Sequence, residues 1–264
     1  MVRLENLSYK DNIKNINYEF ESNKITSIIG PSGSGKTLIF NLIENLIPKT
    51  KGEIYIENKK ITKDLKRQIG YLFQNPQDQL FNNTVYEEIA FGLKHYHYKE
   101  NKQEKIIKDS LAIVGLNETY LNKNPYKLSY GEKTKVALAT ILALNPSIIL
   151  LDEPTISLDN KSINKLISLL LKLKNNYHKT IIIASNDIEF VSKITDNIVI
   201  LNKGKIKQAG DKNDILSNIK LLKENDIEIP KIIEFINLVY EKKGIKLNYT
   251  LDINELIKDI YRNV

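Results

Sequence analysis

One stretch of eight residues, Gly30–Thr37, limits what this chain can fold into more than any other. It reads GPSGSGKT, fits the pattern G-x-x-x-x-G-K-[ST], and lies between one apolar run that indicates a strand and another that indicates a helix. In that setting the backbone N–H groups turn inward around the β- and γ-phosphates of a nucleotide, and the helix N-terminus favours anions. The alternative is a glycine-rich turn without a ligand, which partner motifs further along the chain would disfavour.

The side chains of this loop add two functions to its backbone. Lys36 would supply a positive charge to the phosphates, and the hydroxyl of Thr37 can ligate Mg²⁺. We therefore predict a phosphate site formed by Gly30, Pro31, Ser32, Gly33, Ser34, Gly35, Lys36 and Thr37.

Composition limits the fold class of the chain and the kinds of site that it can form. With 264 residues, 42% of them apolar, the chain can form one α/β nucleotide-binding domain with an appendage. It has no cysteine, which excludes a disulfide framework, a thiol nucleophile and a cysteine metal site. We expect no secretory signal near the N-terminus, and no run approaches the roughly 18 apolar residues of a spanning helix. Any role at a membrane would therefore depend on a partner.

The net charge of +7 raises the question of nucleic-acid binding. The lysines are scattered among Asn and Glu, without the basic stripe or the interleaved aromatic residues that nucleic-acid binders show. We predict no nucleic-acid partner.

The first residues indicate a pair of antiparallel strands. Val2–Tyr9 and Ile13–Phe20 both alternate apolar and polar residues, with a short polar turn between them, and Glu53–Glu57 has the same alternation. Tyr9 could stack on an adenine ring, or it could simply be a half-buried aromatic residue of the strand.

Two buried strands deliver polar side chains to their carboxyl ends, where open α/β sheets bind ligands. Ile69–Phe73 ends at Gln74, whose carboxamide can reach a metal ion or a water, unless it is an ordinary loop glutamine. Ser147–Leu151 ends at Asp152 and Glu153. Asp152 is placed to hold Mg²⁺ through water and Glu153 to orient or deprotonate an attacking water, whereas the alternative is acidic residues that merely end a strand.

Capping patterns mark the helices. Thr84 with Glu87, and Ser129 with Glu132, have the spacing of capping boxes, so residues 84–146 are predicted to be mostly helical. The second box begins a helix whose N-terminus can bind an anion. From residue 214 the chain indicates amphipathic helices, with Gly244 ending one of them and Asp252 with Glu255 capping the last. This tail would pack on its own domain or on a copy.

The order of these motifs resembles that of the nucleotide-binding subunit of ABC transporters. The resemblance extends from residue 1 to about residue 212 and implies a Walker A loop, a Q-loop, a signature, a Walker B motif and a D-loop. The corresponding segments are Gly30–Thr37, Gln74, Leu128–Glu132, Leu150–Pro154 and Ser157–Asp159.

The family implies that two such subunits close head to tail, with each ATP between the Walker A loop of one and the signature of the other. The phosphate loop would thus bind ATP with Mg²⁺, with Gln74 and Asp152 as further metal ligands, and Ser129, Gly131 and Glu132 would contact the partner's ATP. The implied fold is an α/β P-loop NTPase core with an antiparallel β subdomain, a helical subdomain and a C-terminal helical tail. We expect an ATPase domain at 1–213, with the helical subdomain at about 84–146, and a tail at 214–264 that is a possible dimerisation element.

Within the family, Gln74–Phe81 and the tail are similar to the ATPases of energy-coupling factor (ECF) importers of vitamins and metal ions. That similarity implies a groove near Gln74–Phe81 for the coupling helices of a membrane subunit. The implied partners are a second ABC ATPase, copy or paralogue, an integral membrane transporter subunit and a separate substrate-binding membrane subunit. The implied location is the cytoplasmic face of a bacterial membrane.

Four departures from the family pattern qualify this interpretation. Asn186 stands where the family has a switch histidine, so it can hydrogen-bond a γ-phosphate but cannot carry a proton. Tyr130 and Glu132 replace a glycine and a glutamine of the signature, and Gln77 replaces an acidic residue. With Glu153, Gln74 and Asn186 as the catalytic residues, the first hypothesis is a hydrolysing importer subunit. The second is a mainly structural ATP-binding half of a heterodimer, with weak hydrolysis at its own site.

Overall fold

The computed structural model describes residues 1–62, 65 and 67–263, and two sheets organise them. The strands, in chain order, are β1 Val2–Tyr9, β2 Ile13–Phe20, β3 Ile25–Ile29, β4 Lys51–Ile56, β5 Lys59–Lys60, β6 Ile69–Leu72, β7 Ile148–Asp152, β8 Thr180–Ala184, β9 Asn197–Asn202 and β10 Lys205–Asp211. The helices are α1 Lys36–Ile43, α2 Val85–His95, α3 Glu100–Ile113, α4 Tyr130–Ala143, α5 Asn160–Tyr177, α6 Ile188–Ile194, α7 Lys212–Ser217, α8 Ile219–Glu224, α9 Lys231–Lys243 and α10 Ile253–Asn263.

The central sheet has the strand order β10–β9–β3–β8–β7–β6. Strands β9, β3, β8, β7 and β6 are parallel, and β10 pairs antiparallel with β9. Every residue of β3, β6, β7 and β8 is buried, which explains why the sequence of these strands is a continuous apolar run instead of an alternation. The loops that follow β3, β6, β7 and β8 therefore leave the same edge of the sheet.

Side chains alternate between the two faces of this sheet and so contribute to two cores. Ile28, Leu150 and Ile182 face a core that they share with Phe40 of α1 and with the second sheet. Ile29, Ile149, Leu151, Ile181 and Ile183 face the other core, which contains the buried sides of α2, α4, α5 and α6.

The second sheet is antiparallel, in the order β2–β1–β4–β5. Val2 faces Phe20 on one side and Ile56 on the other, and all three side chains are buried. The predicted pair of strands at 2–20 is confirmed.

Both predicted capping boxes are present. Thr84 accepts the Glu87 N–H at 3.1 Å and donates its own N–H to the Glu87 carboxylate at 3.1 Å, and Ser129 with Glu132 repeats the arrangement at the start of α4. Among residues 1–62, 65 and 67–263 no helix combines the length and the apolarity needed to cross a bilayer.

The segment after β10 contains the last four helices, α7–α10, and a small core of its own. Ile233, Ile236, Leu247 and Leu256 are buried together there. Gly244 ends α9 in the left-handed conformation (φ +70°), as predicted. The predicted pairing of Asp252 with Glu255 is only partly present: Asp252 accepts the Asn254 N–H at 2.7 Å, but the Glu255 carboxylate accepts the Thr250 hydroxyl at 2.9 Å.

Candidate nucleotide-binding site

The phosphate loop joins the carboxyl end of β3 to the start of α1, and its backbone requires glycine. Gly30 has a φ of +150°, and a Cβ there would overlap the carbonyl group of Leu201 on β9. Gly35 caps α1 with a φ of +109°, where a Cβ would come within 2.7 Å of Ile13 Cδ1. These glycines hold the loop against the sheet, and the first N–H groups of α1 lie beside it.

Lys36 is 7% exposed and turns back onto its own loop. Its ammonium group donates to the Gly30 carbonyl at 2.6 Å, to the Pro31 carbonyl at 3.3 Å and to Asn186 Oδ1 at 2.6 Å. Burial lowers the pKa of Lys36, and the charges of Glu153 and Asp152 oppose that shift. A buried ammonium group thus lies close to two carboxylates.

Asp152 ends β7 and is 1% exposed. Its Oδ2 accepts the Tyr71 hydroxyl at 3.3 Å, while Oδ1 is buried and has no hydrogen-bond partner in the described part of the chain. Burial raises the pKa of Asp152, and the hydroxyls of Thr37 and Tyr71 oppose the rise. A carboxylate oxygen without a partner beside a threonine hydroxyl is a set of hard oxygen donors that fits Mg²⁺.

Glu153 follows in the left-handed conformation (φ +46°), and its N–H donates to the Ala184 carbonyl at 2.8 Å. Its Oε2 accepts the Asn186 N–H at 3.1 Å and the Ser185 hydroxyl at 3.4 Å. Burial raises the pKa of Glu153, and the hydrogen bond from the Asn186 N–H is the main opposing influence. A half-buried carboxylate with a raised pKa can accept a proton from a water.

Asn186 connects these groups. Its side-chain oxygen accepts from Lys36, and its backbone N–H donates to Glu153. The predicted residues Lys36, Thr37, Asp152, Glu153 and Asn186 therefore lie in one contact network at the carboxyl edge of the sheet.

The signature residues form a second cluster. The Glu132 carboxylate accepts the Tyr120 hydroxyl at 2.6 Å, the Ser129 hydroxyl at 2.8 Å and the Ser129 N–H at 2.9 Å. These bonds, that from Tyr120 first, lower the pKa of Glu132 to about 2. A Cβ at Gly131 would lie in ordinary van der Waals contact with Leu158 Cδ2, at 3.4 Å.

Two predicted site residues, Gln74 and Tyr9, make fewer contacts with these clusters. The side chain of Gln74 is exposed. The backbone carbonyl of Gln74 accepts the Tyr130 hydroxyl at 2.7 Å, so Tyr130 ties the signature helix to the Gln74 loop. Tyr9 is half-buried at the end of β1, with the Lys10 ammonium group 5.2 Å from its ring centre.

Two residues that order the site and the neighbouring loop were not predicted from the sequence. Tyr71, on β6, contacts Asp152, and the signal for it was a hydroxyl-bearing residue in an otherwise apolar buried strand. Glu88, on α2, is 5% exposed and accepts the N–H groups of Phe81 at 3.0 Å and Asn82 at 2.7 Å. It thereby orders the loop after Gln74, although the sequence shows only an acidic residue in the first turn of a helix.

A groove of about 280 Å³ opens beside that loop. Phe81 and Phe91 line it with their rings perpendicular and 4.8 Å apart, and both remain about half exposed at 57% and 51%. Exposed aromatic pairs of this kind mark contact surfaces.

Comparison with known proteins agrees with this geometry. The family model described as ABC transporter matches residues 13–156. The energy-coupling factor transporter ATP-binding protein EcfA2 of Acetivibrio thermocellus is 35% identical over 237 residues, which cover 88% of this chain and 84% of that protein. The structure of cbiO1 from Clostridium perfringens, part of the ABC transporter complex cbiONQ, superposes with a TM-score of 0.76 at 28% identity, covering 89% of this chain and 98% of that one. The ATP-binding cassette MJ0796, in a dimeric post-hydrolysis state with ADP and Pi, gives 0.73 at 32% identity, with 80% and 98% covered.

A phosphate loop, a Walker B carboxylate pair and a signature helix on this fold define an ABC ATPase, and the predicted fold class is confirmed. The chain belongs to the ATP-binding subunits of energy-coupling factor transporters. It is an ATPase of that family, as the sequence predicted.

Proposed function

We propose that this chain hydrolyses ATP in half of a composite site and so drives an ECF-type importer of a vitamin or a metal ion. The observation that carries the proposal is the position of the Lys36 ammonium group. It is held 2.6 Å from Asn186 Oδ1 and is influenced by the charges of both Glu153 and Asp152. Phosphate groups that enter the loop would replace two neutral carbonyl partners of Lys36 with charged oxygens, which are stronger acceptors.

Thr37, Asp152 and Gln74 would hold Mg²⁺. The support is the buried Oδ1 of Asp152, which has no partner among the described residues, beside the Thr37 hydroxyl. Bound there, Mg²⁺ would neutralise charge on the phosphate oxygens. Gln74 follows β6, which pairs with the strand that ends at Asp152, and its side chain is exposed.

Glu153 would orient and deprotonate the attacking water, since burial raises its pKa and the Asn186 N–H and Ser185 hydroxyl fix its carboxylate. Asn186 would hydrogen-bond the γ-phosphate through its amide. The presence of Glu153 in this network favours hydrolysis at the chain's own site over a purely structural role.

Ser129, Gly131 and Glu132 would contact the ATP of a second ABC ATPase, a copy or a paralogue, and Tyr9 would stack on adenine. The similar cassette MJ0796 is dimeric in its state with ADP and Pi, which supports the presence of a second ATPase subunit. In this proposal the ATPase domain spans residues 1–213, with the helical subdomain at about 84–146. The tail at 214–264 would contact the second subunit, and the exposed side chains of Ile253, Ile257 and Tyr261 on α10 support that role.

The membrane partner would dock in the groove of Phe81 and Phe91. The assembly would contain an integral membrane transporter subunit and a separate substrate-binding membrane subunit, on the cytoplasmic face of a bacterial membrane, and no nucleic acid. The description of cbiO1 as part of a transporter complex supports such an assembly.

Glu153→Gln tests the proposal. In the purified ATPase pair we expect turnover to fall by about two orders of magnitude or more, with ATP binding retained, because the general base is lost while the phosphate contacts remain. Glu104→Gln, on the exposed surface of α3, is the matched control. Turnover that Glu153→Gln leaves unchanged would refute the role of this site.

A further inference from the structure

Tyr71 lies inside the core, on the strand that leads to Gln74. It is 8% exposed, and its ring packs edge to face against Phe40 of α1, with centres 5.6 Å apart, and against Phe73, at 4.6 Å. Its hydroxyl reaches 3.3 Å from Asp152 Oδ2 and 3.3 Å from Asn41 Oδ1. One side chain of β6 therefore contacts both α1 and the end of β7.

The hydroxyl has one hydrogen and two acceptor oxygens within reach. The carboxylate is the stronger acceptor because it carries a charge, so the Tyr71 hydroxyl donates its hydrogen bond to Asp152 Oδ2. If the Asn41 amide is flipped, so that Nδ2 takes the place of Oδ1, Nδ2 donates to the phenol oxygen. The Tyr71 hydroxyl then bonds Asn41 and Asp152 at the same time.

A phenylalanine would fill this space equally well, so packing alone does not explain the hydroxyl. A buried hydroxyl without a partner costs about 1–3 kcal/mol, and this one is accommodated because it meets Asp152 and Asn41. In the described part of the chain, the Tyr71 hydroxyl donates to Asp152 Oδ2, and the Thr37 hydroxyl also acts on the carboxylate by opposing the rise in its pKa that burial causes. Thr37 is itself a proposed metal ligand, so Tyr71 is the contact that remains available to fix the carboxylate when a metal binds.

We propose that Tyr71 is a positioning residue of the magnesium site: its hydroxyl holds Oδ2 of Asp152 so that the unpartnered Oδ1 stays directed to the metal. The inference rests on the proposed function, since it takes Asp152 to be a ligand of Mg²⁺. Groups that orient a ligand in this way typically change metal affinity 10–100-fold when they are removed.

Tyr71→Phe isolates the hydroxyl, because it keeps the ring between Phe40 and Phe73. The experiment titrates MgCl₂ into the full chain with ATP, in a Glu153→Gln background that prevents turnover, and follows the unfolding temperature. We expect the Mg²⁺ concentration at half-saturation to rise roughly tenfold. Binding of ATP in EDTA should stay within twofold, and without ligand the variant should melt within a few degrees of the parent.

Two further variants decide the interpretation. Tyr18→Phe removes a half-buried hydroxyl from β2 in the other sheet and should leave the Mg²⁺ titration unchanged. Asp152→Asn should remove the dependence on Mg²⁺. If Asp152→Asn acts as expected but Tyr71→Phe shifts half-saturation less than twofold, or no more than Tyr18→Phe does, the role of Tyr71 is wrong. If Asp152→Asn also leaves the titration unchanged, the proposed metal site itself is wrong.

Discussion

Neutralising Glu132 should destabilise the start of the signature helix α4. Its carboxylate accepts hydrogen bonds from Tyr120 and from Ser129, and they lower its pKa from 4.5 to about 2. For a sheltered group that difference is equivalent to roughly 3 kcal/mol of stability. Glu132 lies at the surface, where solvent screens its charge, so we expect Glu132→Gln to lower the free energy of unfolding by about 1 kcal/mol at pH 7.

The lowered pKa of Glu132 also predicts how the stability difference between Glu132→Gln and wild type changes with pH. Because the pKa of Glu132 is lower in the folded than in the unfolded chain, its stabilisation is complete above about pH 4.5 and is lost as the pH falls towards 2. The gap between Glu132→Gln and wild type should therefore narrow from pH 7 to pH 3.5 in urea unfolding followed by circular dichroism. Glu87→Gln, in the other capping box, is the control, since Glu87 accepts one such bond, from the Thr84 N–H at 3.1 Å. Equal unfolding midpoints of Glu132→Gln and wild type at pH 7, or a gap that does not change with pH, would contradict the reasoning.

Two further substitutions test the phosphate loop and its neighbour. Gly30→Ala should lower the free energy of unfolding by more than about 2 kcal/mol and weaken ATP binding, because its Cβ would overlap the Leu201 carbonyl. Gly115→Ala, which has open space around it, is the control and should lower the free energy of unfolding by about 1 kcal/mol. Thermal unfolding and nucleotide titration would measure both effects. Asn186→His should make the stability of the nucleotide-free protein depend on pH between 6 and 8, since an imidazolium cannot accept from Lys36. A melting temperature of this variant that follows wild type across that range would rule out the contact.

The sequence was most informative where local chemistry decides structure. Continuous apolar runs predicted the buried parallel strands, and Thr84 and Ser129 predicted both helix starts, because a capping box needs only residues three positions apart. At Asp252 the same rule was only partly right, since Thr250 competes for the Glu255 carboxylate and spacing alone does not reveal that competitor.

Contacts between distant segments could not be predicted in this way. Tyr71 meets Asp152 across 81 positions, and Lys36 meets Asn186 across 150, because β6, β7, β8 and β3 end at one edge of the sheet. Motif order predicted that Lys36, Asp152 and Asn186 share a site, but it did not predict that Tyr71 contacts Asp152. It did not reveal which atom donates to which, since that depends on rotamers set by the surrounding core.

The contacts of Asn186 explain how an amide can stand where the family has a switch histidine. The Asn186 side-chain oxygen accepts from the buried ammonium group of Lys36, while its backbone N–H donates to Glu153. If Lys36 turned to a phosphate, as the proposed function requires, the amide would still carry a donor for that phosphate, and the bond to Glu153 would not depend on the side chain at all. A histidine offers an acceptor only while it is neutral and two donors only while it is charged. The asparagine therefore supplies both kinds of contact at any pH, so its presence is compatible with a working site and does not by itself indicate a lost one.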